Sequence, residues 1–123
     1  MNRESLAAGV ITAALVAVSA LGLTEALGAH PVWAVKTGVI GSLLGLLAYG
    51  GLRWAGLRPG RITGLGVLAL ILGAAAAIQG KSIFAASFAE NALAGRFWFF
   101  GWFALMAGLC LTLCALAARF LRR

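Results

Sequence analysis

The sequence predicts an all-α integral membrane protein, with four transmembrane helices in a compact bundle and both termini in the cytoplasm. Three observations carry that reading. Of the 123 residues, 63% are hydrophobic and 11% charged, whereas soluble domains carry about a quarter charged residues. The apolar residues fall into four runs close to the length, about 20 residues, at which a helix spans a bilayer. Basic residues gather at the ends of these runs and divide unequally between the two sides. A water-soluble fold of this size would leave too much apolar surface exposed. Lipid solvates that surface instead, and the length suits one domain over residues 1–123.

The first helix is expected over about 6–27, after the polar start Met1 to Ser5. It is longer than the apolar region of a signal peptide, which spans roughly 7–15 residues. Gly28, Ala29, His30 and Pro31 form a turn, and Pro31 suits the first turn of the second helix, expected over 32–52. Arg53 to Arg61, containing Gly56, Pro59 and Gly60, reads as a loop. The third helix is expected over 62–78 and the fourth over 97–118. Between them, Phe84 and Phe88 are four residues apart with Ser87, Glu90 and Asn91 nearby. That pattern predicts a short helix over 82–93, lying in the membrane interface.

Orientation follows from the excess of Lys and Arg in cytoplasmic loops. With the N-terminus inside, Arg3, Arg53, Arg58, Arg61, Arg119, Arg122 and Arg123 fall on the inner side, against Lys36, Lys81 and Arg96 outside. Trp33, Trp98 and Trp102 then lie near the outer boundary and Trp54 near the inner one, as an aromatic belt would place them. The net charge is +7, from ten basic residues against Glu4, Glu25 and Glu90. Because the cations sit at the ends of apolar runs, anionic headgroups and not nucleic acid are the expected counter-charge. The setting is read as a bacterial cytoplasmic membrane.

Small residues recur at helical spacing, and Gly41, Gly45, Gly73 and Gly108 are the expected sites of close helix packing, which small side chains permit in lipid. The second helix is the first candidate for self-association or partner docking. The polar residues on the outer side, Glu25, His30, Lys36, Lys81, Glu90 and Arg96, form the candidate binding cluster. Ionisable groups in lipid are usually paired, and a Glu25–Lys36 pair is sterically reasonable. His30 is the single histidine, so one chain supplies neither a bis-histidine haem site nor a set of zinc ligands.

Met106, Cys110 and Cys114 make a sulfur stripe of a type that selects Cu(I). On an apolar helix the plainer reading is that they fill space as small hydrophobes. No Asp exists, and no nucleophile–base pair or phosphate loop is present, so neither an enzyme site nor a cofactor is expected. The expected function is a non-enzymatic subunit of a transport or electron-transfer membrane assembly, with the bilayer and other membrane chains as partners. A small homo-oligomeric transporter or channel is the alternative, and a lipid-modifying enzyme a weaker one.

Overall fold

A computed structural model of the chain describes residues 3–22, 26, 34–86 and 92–121. It is all-helical, with four helices long and apolar enough to cross a membrane. They are α1 (Arg3–Ala20), α2 (Ala34–Trp54), α3 (Pro59–Ala86) and α4 (Ala92–Leu121).

The helix ends depart from the apolar runs for local reasons. α1 stops at Ala20 instead of continuing to about 27, because Gly22 adopts φ 102° and its N–H turns back to the Ser19 carbonyl at 3.1 Å. Glycine takes this left-handed cap without a Cβ penalty. Gly56 ends α2 in the same way, with φ 94°. Its N–H meets the Arg53 carbonyl at 3.0 Å and the Leu57 N–H meets the Leu52 carbonyl at 3.0 Å, a complete Schellman closure. The loop between α2 and α3 is therefore only residues 55–58, since Pro59 already opens α3, where its missing N–H costs nothing.

α3 and α4 run further than their apolar cores. Residues 82–86 continue α3 and residues 92–93 belong to α4. The separate interfacial helix expected over 82–93 is thus absorbed at both ends, and residues 87–91 lie outside the described residues. Apolarity ends where the hydrocarbon would end, but Gln79 to Ala86 holds nothing that breaks helical hydrogen bonding. At 1.5 Å per residue, the 28 residues of α3 extend about 42 Å, beyond a hydrocarbon core of about 30 Å.

Contacts fix the helix directions. Glu4 at the start of α1 meets Arg53 at the end of α2. Thr12 and Ala8 of α1 face Cys110 and Cys114 of α4. Gly41 and Gly45 of α2 lie on Met106 and Ala107, and Gly66 and Gly73 of α3 lie on Thr112 and Leu105. So α1 and α3 run one way, and α2 and α4 the other. Arg3, Arg53, Arg58, Arg61 and Arg119 gather at one end, with Lys36, Lys81 and Arg96 at the opposite end.

α4 is the hub. It contacts each of the other three helices, α1 and α2 also contact each other, and α3 meets α2 only marginally and α1 not at all among the described residues. Within this arrangement of four helices, α1, α2 and α4 share a core and α3 packs on the other side of α4. The cause is that α4 has two packing faces. Gly101, Ala104, Leu105 and Gly108 admit α3, while Met106, Cys110 and Cys114 fill the core shared with α1 and α2. Trp98 and Trp102, expected as belt residues, are core residues too, and Trp98 meets Phe84 of α3 with ring centroids 5.8 Å apart.

Candidate functional site

At the Arg-rich end, three side chains converge on one carboxylate. Glu4 lies in the first turn of α1, while Tyr49 and Arg53 stand one turn apart on α2, so both reach the same point across the α1–α2 contact. Arg53 Nε donates to Glu4 Oε1 at 2.6 Å and Nη2 to Oε2 at 3.2 Å. The Tyr49 hydroxyl donates to Glu4 Oε1 as well. Arg53 Nη1 reaches onward to the Leu57 carbonyl at 3.0 Å, tying the α2 cap into the same network. A fork of guanidinium donors on both carboxylate oxygens is the stronger, directional form of an ion pair. The cluster lines a groove of about 410 Å³ with Ser5, Leu46, Gly50 and Trp54.

Sequence reasoning missed this cluster, having looked for chemistry at the other end. The signal was available. With helices alternating in direction, positions 4 and 53 come to the same end, and Glu4 is the one acidic residue in the first or last apolar-run flank there.

The predicted outer cluster is described only in part. Glu25, His30 and Glu90 lie outside the described residues. Lys36 is exposed on α2, Lys81 exposed on α3, and Arg96 exposed on α4, where it borders a groove between α3 and α4.

The glycines named from spacing sit at close helix contacts. A Cβ on Gly41 would lie 2.7 Å from Met106 Cβ, and one on Gly45 2.6 Å from the Ala107 carbonyl oxygen. On the other face of α4, a Cβ on Gly73 would lie 2.5 Å from Leu105 N, and one on Gly108 2.5 Å from Leu70 N. Gly66, which belongs to the same small-residue series of the third helix, and Gly101 complete this α3–α4 seam.

The sulfur residues divide between neighbours. Met106 lies against Gly41 of α2, Cys110 lies against Gly45 of α2 with its Sγ toward Thr12 of α1, and Cys114 turns to α1. Their Sγ atoms are 4.0 Å apart, and Thr12 Oγ1 sits 3.4 Å from Cys110 Sγ while donating to its own Ala8 carbonyl at 2.8 Å. Both thiols are free and fully enclosed. Among the described residues, His, Cys, Asp and Glu nowhere gather in threes as metal ligands.

Other buried hydroxyls bond within their helices. Ser42 donates to the Gly38 carbonyl at 2.6 Å and Thr112 to the Gly108 carbonyl at 2.7 Å. Ser19 Oγ is enclosed with no partner among the described residues. No protein family, curated protein or solved structure matches the chain.

Proposed function

We propose that the chain is a small multispanning protein of a bacterial cytoplasmic membrane, with both termini inside, that acts as a non-enzymatic subunit of a transport or electron-transfer assembly. The supporting observation is α3. One side of it is locked to α4 through Gly66, Gly73 and Ala77, and another side, including Val67, Ile71 and Ile78, is exposed among the described residues. Small residues on one side and branched apolar ones on the other suit a helix held between its own chain and a neighbour.

The polar groups support the same reading. The Glu4 carboxylate is taken up by Arg53 and Tyr49, and the hydroxyls of Thr12, Ser42 and Thr112 by backbone carbonyls. These groups serve the fold and leave little for chemistry.

The test is photocrosslinking in native membranes, with a photoactivatable residue at Ile71 or Ile78 and a control at Leu43 on α2. A discrete adduct to a different membrane chain, formed from α3 and not from Leu43, supports the subunit reading. An adduct to a second copy of the chain would replace it with the homo-oligomeric reading. Adducts to lipid alone would remove both.

A further inference from the structure

We propose that the groove between α3 and α4 at the Arg96 end holds one acyl chain of an anionic phospholipid, with the lipid phosphate on the Arg96 guanidinium. The inference rests on membrane insertion alone and not on the identity of any partner subunit.

Two adjoining cavities of about 330 and 340 Å³ run along the same side of the α3–α4 contact and share Ala76 and Phe97 as walls. Their depth follows from the glycine seam. α3 and α4 approach so closely at Gly73 and Gly101 that the flanking small residues, Ala76 and Ala104, form a floor beneath larger neighbours. Leu72 stands on one bank and Phe97 and Phe100 on the other, with both phenylalanines more than half exposed. Exposed aromatic rings beside an alanine and glycine floor border an apolar groove.

Its length fits one leaflet. From Arg96 to Ala104, eight residues of α4 rise about 12 Å, close to half of a hydrocarbon core of about 30 Å. An acyl chain lying there would run from the headgroup level to near the midplane.

Charge complementarity selects the headgroup. Arg96 is the charged residue in the lining of this otherwise apolar groove, and it stands at the end away from Ala104. Among the described residues the only acidic side chain is Glu4, which is paired with Arg53 at the other end of the molecule. A guanidinium presents parallel donors that match phosphate geometry. Gln79, on the α3 bank, offers an amide near the level of the glycerol esters.

The test uses purified full-length protein, delipidated in mild detergent, with phosphatidylglycerol or phosphatidylethanolamine of identical chains added back and bound lipid counted by native mass spectrometry. Wild type is expected to retain one phosphatidylglycerol in preference to phosphatidylethanolamine. Arg96→Gln is expected to lower phosphatidylglycerol affinity by roughly tenfold, the loss of one charge-assisted contact. Arg61→Gln, at the opposite end, is expected to leave it unchanged. Equal affinity in wild type and Arg96→Gln, or no retained lipid, overturns the proposal. In reconstituted vesicles, phosphatidylglycerol bearing a photoreactive group in its chain gives a second readout that needs no variant. Crosslinks concentrated at Ala76, Phe97 and Phe100 support the groove, and crosslinks spread evenly over Ile71, Ile78 and Leu43 overturn it.

Discussion

The Arg53 guanidinium holds the Glu4 carboxylate through two contacts, Nε at 2.6 Å and Nη2 at 3.2 Å, joining the end of α2 to the start of α1. The two side chains are 23% and 20% exposed, partly withdrawn from solvent. A pair in that setting matters more through what its removal leaves behind than through its own attraction. Glu4→Gln takes the carboxylate from the Arg53 guanidinium, and Arg53→Gln takes the counter-charge from a carboxylate to which Tyr49 still donates. Each single change is expected to destabilise by about 1–3 kcal/mol. The double change Glu4→Gln with Arg53→Gln is expected to cost less than the sum of the two. Denaturant titration of all four proteins in one detergent measures the coupling, and strictly additive effects would refute the pairing as a stabilising unit.

The glycine seam makes a sharper prediction because its neighbours are backbone atoms. At Gly73 an added Cβ meets Leu105 N at 2.5 Å and the Gly101 carbonyl oxygen at 2.9 Å, and neither can rotate away. Gly73→Ala therefore forces α3 off α4, at about 1–3 kcal/mol. Gly64 on the same helix has nothing within 4 Å of its Cβ position. Gly64→Ala is expected to be neutral or to stabilise by about 0.5–1 kcal/mol, the ordinary gain from removing glycine from a helix. Thermal unfolding of the two variants side by side checks the contrast. If both behaved alike, the α3–α4 contact would not be the close one described.

Much of this architecture was legible in the sequence, and the failures have physical causes. The four apolar runs marked four helices because a membrane span needs both length and apolarity. Their ends were misjudged because apolarity and helicity stop for different reasons. Gln79 and Lys81 end the first without ending the second, whereas Gly22 ends α1 while the chain around it is still apolar. The expectation for Trp98 and Trp102 concerns their level near the outer boundary, and the structure adds that both are buried among the helices. With Met106, Cys110 and Cys114 they recur every fourth residue and are all buried, on a row that winds around α4 from the α3 side to the α1 side. The Glu4–Tyr49–Arg53 cluster lay in two segments read separately, as a polar start and a loop edge. Only the pairing of α1 with α2 brings them together. Of the outer cluster, the sequence shows that Lys36, Lys81 and Arg96 share an end, while Glu25, His30 and Glu90 lie outside the described residues.

The two thiols report on the α1–α4 contact directly. Cys110 and Cys114 are 0% and 1% exposed, and Thr12 and Ala8 of α1 cover them. In native detergent or vesicles neither is expected to react with a maleimide, and both are expected to react once SDS opens the bundle. The labelling rate then measures separation of α1 from α4. It is expected to rise in Glu4→Gln, which loosens the end of α1 nearest to Cys114. Rapid native labelling of Cys110 in the wild type would show that α1 does not stay seated on α4.

The same silence of the native thiols makes orientation measurable. α1 and α3 run opposite to α2 and α4, so the first and last described residues share an end with Arg53, Arg58 and Arg61. The excess of cationic side chains at that end predicts that it faces the cytoplasm. Arg58 precedes α3 and Lys81 lies near its far end, 23 residues on, or about 35 Å along the helix. That distance exceeds the hydrocarbon core, so the two positions lie on opposite sides if α3 spans the bilayer. A membrane-impermeant maleimide applied to intact cells is expected to label Lys81→Cys. It is expected to label Arg58→Cys only after permeabilisation. The reverse pattern would invert the orientation. Labelling of both positions from outside would mean that α3 does not cross the membrane, leaving its uncovered apolar face without the lipid that explains it.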